Sequence, residues 1–214
     1  DAKPSLFVCG PGSPVDKAGL ADKLGIAQAT LGADGSGSLM EAVRGASPDF
    51  ATVARGGNDL AAMLYTSGTT GRAKGAMLTH TNLASNSLTL VDAWRFTAGD
   101  VLLHALPIFH THGLFVATHV ALISGASMLF LPRFDADQVI ALLPRATAMM
   151  GVPTFYTRLL DHPRFTRDLV GHMRVFISGS APLLAETHRS FSERTGHAIV
   201  ERYGMTETTM NSSN

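Results

Sequence analysis

A chain of 214 residues that is 45% hydrophobic and 16% charged can bury a sizeable core and reads as globular, which excludes a disordered chain. Its 17 basic and 17 acidic residues balance, so no general nucleic-acid or anionic-membrane surface is encoded and any anion site must be local. Cys9 is the single cysteine and closes no internal disulfide, and no Cys/His cluster has zinc-like spacing, so the expected compartment is reducing: cytoplasmic, or the mitochondrial matrix in a eukaryotic source. Asp1 follows no basic-then-apolar leader and reads as a start in mid-protein.

In chain order, residues 5–8 read as a strand and 14–24 as a helix capped by Ser13 and stopped by Gly25. A helical turn is expected over 39–43, with Gly/Ser/Asp-rich loops at 32–38 and 55–58. Residues 1–57 form a leading segment without nameable chemistry, and 58–214 the part that carries it. Apolar runs at 60–64 and 76–78 predict two strands around a polar loop. Helices are expected over 79–94 (cap Thr79 or Thr81), 113–123, a stretch after Asp135, one starting at Pro153, and 183–195 ended by Gly196. Strands are expected at 101–106, 128–131, 148–152, 174–177 and 198–203. The apolar stretch 113–131 is punctuated by Ser124-Gly125-Ala126-Ser127, which splits it into pieces too short to cross a bilayer. This alternation predicts an α/β fold, a mostly parallel sheet with helices on both faces.

In such a sheet ligands bind beyond the carboxyl ends of strands, where three polar motifs fall. Pro107-Ile108-Phe109-His110 follows one strand, Ser178-Gly179-Ser180-Ala181 a second, and Gly204-Met205-Thr206-Glu207-Thr208 a third. The loop Thr66-Ser67-Gly68-Thr69-Thr70-Gly71-Arg72-Ala73-Lys74 combines glycines, hydroxyls and a lysine, which suits a polyphosphate. It departs from the Gly-x4-Gly-Lys-Ser/Thr nucleotide loop at Ala73 and Gly75, and such a composition also suits a plain hairpin. His110 beside an apolar segment is on general grounds a core residue, and Ser180 a helix cap. The other histidines, His104 and His112 included, read as packing or surface groups.

The order Thr-Ser-Gly-Thr-Thr-Gly-x-x-Lys-Gly resembles the phosphate loop of the adenylate-forming enzymes, which include acyl-CoA synthetases, luciferases and peptide-synthetase adenylation domains. The stretch Glu201-Arg202-Tyr203-Gly204-Met205-Thr206-Glu207 resembles that family's Tyr-Gly-x-Thr-Glu core, and Pro107-x-x-His110-x-x-Gly113 its carboxylate-pocket histidine. The resemblance spans roughly residues 59–207 and implies the large N-terminal domain of such an enzyme. It implies ATP as nucleotide, with Thr66, Ser67, Gly68, Thr69, Thr70, Gly71 and Lys74 on its phosphates and Gly179, Ser180, Ala181, Glu201, Arg202, Tyr203, Gly204 and Met205 around the adenylate. It further implies Thr206 donating to phosphate, Glu207 on Mg2+, and Lys74, His110, Thr206 and Glu207 as the catalytic set.

Coenzyme A is the implied acyl acceptor and a small-molecule carboxylate the implied acid, bound by His110, Ser180 and Met205. Gly151-Val152-Pro153-Thr154-Phe155-Tyr156-Thr157-Arg158 together with Pro107-Ile108-Phe109-His110 looks most like malonyl-CoA synthetases. By that resemblance Arg158 pairs with the distal carboxylate of malonate, against the plain reading of a helical arginine in a surface ion pair. A small C-terminal domain of the same protein, with a second catalytic lysine, is the implied partner beyond Asn214; neither nucleic acid nor a membrane span is expected. Adenylation of fatty, aryl or amino acids, and a nucleotide-binding piece without activity of its own, are the alternatives at this point.

Overall fold

The structure is a computed structural model and describes residues 2–66 and 73–214. The chain divides into two compact units, Asp1–Arg55 and Gly56–Asn214. In the first, β1 (Leu6–Cys9) leads through α1 (Pro14–Lys17) and α2 (Leu20–Leu24) to β2 (Ala27–Thr30), which lies parallel to β1. Ser13 caps α1 as expected, accepting from the Asp16 amide at 3.2 Å. The single helix expected over 14–24 is broken in two, because Gly19 turns into the left-handed region at φ 59°. A short α3 (Ser38–Val43) ends the unit's regular structure.

The second unit opens with an antiparallel hairpin, β3 (Leu60–Thr66) and β4 (Lys74–Thr79), in which Thr66 faces Lys74. Residues 67–72, most of the expected phosphate loop, lie outside the described residues. Helix α4 (His80–Ala93) starts on a reciprocal cap: the Asn82 amide donates to Thr79 Oγ1 at 3.2 Å and the Thr79 amide to Asn82 Oδ1 at 3.0 Å. Next come β5 (Val101–His104), a π-helical segment (His112–Thr118), α5 (His119–Ser124) and β6 (Ser127–Phe130). Helix α6 (Ala136–Leu142), capped by Asp135, precedes β7 (Ala148–Gly151). Then follow α7 (Pro153–Leu160), α8 (Arg167–Val170), β8 (Val175–Ser178), α9 (Ala185–Thr195), β9 (Ile199–Met205) and β10 (Thr209–Ser213). No helix among the described residues is long and apolar enough to cross a membrane.

The main sheet has six strands in the order β10-β9-β8-β7-β5-β6, parallel except for β10. Its central strands are buried on both faces because successive residues point to opposite sides. Leu103, Met149 and Phe176 pack with Tyr156, Leu159 and Phe191 from α7 and α9, whereas Leu102, Met150 and Ile177 pack with Leu90, Val116 and Val120 from α4, the π-helical segment and α5. The buried Tyr156 hydroxyl donates to the Ile177 carbonyl at 2.6 Å, tying α7 to the sheet.

At the other end of the sheet, buried Asp100 accepts from Arg174 Nε at 2.9 Å, Thr147 Oγ1 at 2.7 Å and the Thr97 amide at 2.9 Å. Burial alone would raise its pKa, but these donors and the Arg174 charge outweigh it and hold the carboxyl below its ordinary value. Asp100→Ala is expected to lower the unfolding free energy by about 3 kcal/mol in denaturant titration, since it strands a partly buried guanidinium. Because the folded-state pKa is depressed, the wild-type contribution is complete above the unfolded carboxyl pKa and is lost as pH falls through the folded one. The gap between wild type and variant should therefore close in acid.

Candidate active site

The carboxyl ends of β5, β8 and β9 meet around a cavity of about 200 Å³ lined by His110, Thr111, His112, Val116, Ser180, Arg202, Gly204, Met205, Thr206 and Thr209. Three of the expected motifs thus converge: the residues after β5, the residues after β8, and the end of β9. A second, larger cavity of about 490 Å³ is lined by Ala181, Pro182, Glu201, Tyr203, Ser212 and Asn214. It shares Ser180, Arg202 and Gly204 with the first, so the two spaces adjoin.

Local structure explains how the walls are held. Strand β9 runs on to Met205 rather than ending at 203 as expected, because β10 turns back and pairs with it, Thr209 opposite Met205. The turn is so tight that a Cβ on Gly204 would collide with the Thr209 carbonyl, and Thr209 adopts φ 56°. Along this strand Arg202 is buried while Tyr203 is 59% exposed. Glu201 accepts from the Leu183 amide at 3.2 Å, which ties the segment after β8 to β9.

Arg202 is 6% exposed, and no carboxylate among the described residues forms an ion pair with it. Its Nη2 donates to Ser180 Oγ at 3.3 Å, its Nη1 approaches Met210 Sδ at 3.9 Å, and its Nε has no partner among the described residues. Burial lowers its pKa to about 10, which leaves it charged at neutral pH. Gly179 makes room for it: a Cβ there would run into the guanidinium Nε. Ser180 sits at φ 68°, an uncommon conformation for a residue with a side chain, and its hydroxyl also lies 3.2 Å from His112 Nδ1. With Arg202 donating to Ser180, the serine proton is free for His112 Nδ1. That network assigns the His112 proton to Nε2, a buried atom with no partner among the described residues. Burial first, and then the Arg202 charge, keep His112 well below the ordinary histidine pKa, so it is a neutral donor.

His112, read from sequence as packing, therefore belongs to the cavity, and its one legible signal was its place two residues after the motif histidine. His110 is exposed at the cavity wall, its ring 5.2 Å from Phe109. Ser180, Met205 and Thr206 line the same space. Ala181, Glu201 and Tyr203 line the adjoining one, and Gly179 acts through the Arg202 side chain. Glu207 is exposed in the β9–β10 turn and faces a third cavity of about 340 Å³ with Leu78, Asn82 and Asn86. Lys74 and Thr66 sit at the mouth of the β3–β4 hairpin, where Thr66 Oγ1 reaches the Lys74 carbonyl at 3.5 Å, and neither lines these cavities. Ser67, Gly68, Thr69, Thr70 and Gly71 lie outside the described residues. Arg158, expected on the acid, is exposed on α7 with its guanidinium 4.8 Å above the Phe134 ring. Among the described residues it forms no surface ion pair of the kind the plain reading expects, and it does not line the cavity.

Residues 6–214 match the protein family described as AMP-binding enzyme. The chain is 42% identical over 176 residues to the mitochondrial malonate–CoA ligase of Mus musculus, covering 74% of this chain and 30% of that protein. Among solved structures, ATP-bound MatB from Rhodopseudomonas palustris is 65% identical with a TM-score of 0.96, covering 100% of this chain and 42% of that one. A malonyl-CoA ligase ternary product complex with methylmalonyl-CoA and AMP bound is 33% identical with a TM-score of 0.81, covering 100% of this chain and 44% of that one. The chain thus spans less than half the length of each of these proteins.

Proposed function

The chain belongs to the AMP-binding enzyme family, and from that premise we propose that the protein it forms part of joins a carboxylic acid to coenzyme A using ATP, with malonate as the acid. One observation carries the choice of acid: Arg202 is a buried cation without an anionic partner among the described residues, set beside the neutral donor His112 in a cavity at the strand ends. A monocarboxylate leaves that charge uncompensated. A dicarboxylate supplies a second anion for it, a pairing in which arginine offers two parallel N–H donors.

The reaction is two displacements. A carboxylate oxygen of the acid attacks the α-phosphorus of ATP, the bond to pyrophosphate breaks, and an acyl-adenylate forms. The coenzyme A sulfur then attacks the acyl carbon, AMP leaves, and the thiol proton passes to solvent. Both first-step reactants are anions, so fixed positive charge and donors near the phosphates lower the barrier. In this reading Thr206 donates to the α-phosphate, Tyr203 flanks the adenine in the larger cavity, and His110 closes the carboxylate pocket. Lys74 and the loop that begins at Thr66 take the outer phosphates.

Magnesium fits one position. Among the described residues Glu207 is an exposed carboxylate without a partner, and no three His, Cys, Asp or Glu side chains group to hold a metal by themselves. That donor set suits an ion bound through one carboxylate and nucleotide phosphates. The bound ion would offset phosphate charge.

ATP–pyrophosphate exchange over a panel of mono- and dicarboxylates, run on the longer protein and on this chain, tests the reading. Malonate-dependent exchange is expected in the longer protein; no exchange with any acid sinks the adenylation reading, and equal rates with propionate and malonate sink the choice of acid. Lys74→Ala is expected to lower the exchange rate by about 100-fold, the usual cost of removing one positioned donor to developing charge.

A further inference from the structure

We propose that His104 is a positioning residue for the acid: it grips the carbonyl of Gly113 and so fixes the loop 105–112 whose His110, Thr111 and His112 wall the smaller cavity. The proposal rests on reading that cavity as the acid pocket. His104 is the last residue of β5 and is fully buried. Its Nε2 lies 2.9 Å from the Gly113 oxygen and 3.3 Å from Thr118 Oγ1. The Thr118 hydroxyl donates to the same oxygen at 2.9 Å. A carbonyl that receives the Thr118 proton needs an N–H from the imidazole, which assigns the His104 proton to Nε2. Burial lowers its pKa, consistent with a neutral donor, and its Nδ1 has no partner among the described residues. The ring also packs at 4.7 Å on Phe130. Packing alone does not account for a buried imidazole with an orphaned nitrogen, since an apolar side chain would fill the space without that penalty.

The loop needs such a clamp. It leaves β5 and returns so closely that a Cβ on Gly113 would collide with the Pro107 carbonyl. Within it the His110 amide reaches the Pro107 oxygen at a long 3.3 Å, and from its last residue the chain is wound as a π-helix, His112–Thr118, a rare form with wide turns. Gly113 directly follows His112. Any slip of its carbonyl therefore moves the imidazole that faces Arg202 across Ser180.

Two substitutions in the full-length protein separate clamp from filler. His104→Leu fills the space without a donor, and His104→Gln keeps an N–H of similar reach. The leucine variant is expected to raise the KM for malonate by about 10- to 100-fold, as a displacement near 1 Å can cost about 100-fold, with little change in the KM for ATP. Glutamine should recover most of the loss. Amide hydrogen exchange over residues 110–118 reads the clamp without activity: faster in the leucine variant, near wild type in the glutamine one. Unchanged acid KM and unchanged protection in His104→Leu overturn the proposal, as does equal damage by both substitutions. If His104→Leu does not fold, Thr118→Val removes the other donor to the same carbonyl and should shift acid KM in the same direction; no shift overturns the clamp. If the wild type shows no malonate-dependent exchange, the reading of the pocket has failed, and amide protection alone decides the role of His104.

Discussion

Arg202→Met is expected to lower kcat/KM for malonate by roughly 30- to 1,000-fold, the span that follows from losing one partner of a buried, hydrogen-bonded charge pair. The same substitution should leave exchange with a short monocarboxylate such as propionate unchanged or raise it, because that acid offers the guanidinium no anion. Stability should move the other way. Arg202 is buried without a carboxylate among the described residues, so an apolar side chain of similar length is expected to be neutral or to stabilise by up to about 2 kcal/mol. Exchange kinetics and thermal unfolding on one preparation read both. A lower Tm with equal losses on both acids would make Arg202 a structural residue only. Arg158→Ala provides the comparison: if the arginine over Phe134 swings onto the acid when substrate binds, its substitution relaxes selectivity as much as that of Arg202.

Gly113→Ala is the second substitution with a large expected effect. The added carbon would meet the Pro107 carbonyl oxygen, and it would also lie 2.8 Å from the Pro107 carbonyl carbon and 3.2 Å from the Leu106 oxygen. All three are backbone atoms, so no rotamer change relieves the contact. A destabilisation of about 4 kcal/mol or more is expected in denaturant titration, in the range that marks strain or overpacking at a special site. Gly125→Ala is a fitting control, since its φ of 74° is unfavourable for alanine but its nearest neighbour is the Ala98 Cβ at 3.4 Å. It should cost only about 1 kcal/mol. Similar losses at the two positions would show that the return of the loop onto Pro107 is not rigid.

Where the chain carries long apolar periods or strong punctuation, it was legible. The runs at 101–106, 148–152 and 174–177 appear as β5, β7 and β8, and Asp135, Pro153 and Gly196 mark helix ends as expected. Elements without that contrast escaped. β2 reads Ala-Gln-Ala-Thr and β10 Thr-Met-Asn-Ser-Ser, strands whose existence rests on pairing rather than propensity. Gly19 looked like an ordinary interior glycine until its backbone angle broke the helix. At the site, motif spacing identified three strand ends that do converge. Two facts were out of reach: that Gly179 opens space for a buried Arg202, and that His112 turns inward beside it, because both depend on contacts between residues far apart in the chain. Arg158 stood at a suggestive position on α7, but nothing in one dimension reveals that Phe134 lies beneath it.

Strand β9 gives acid and nucleotide recognition opposite parity: in the proposed roles, even-numbered Arg202 reads the acid and odd-numbered Tyr203 the base. Point substitutions can therefore retune either specificity alone. A single inserted residue between Ile199, held opposite Phe176, and Arg202 would flip both side chains across the strand at once. The two specificities are separable by mutation yet inseparable by frame.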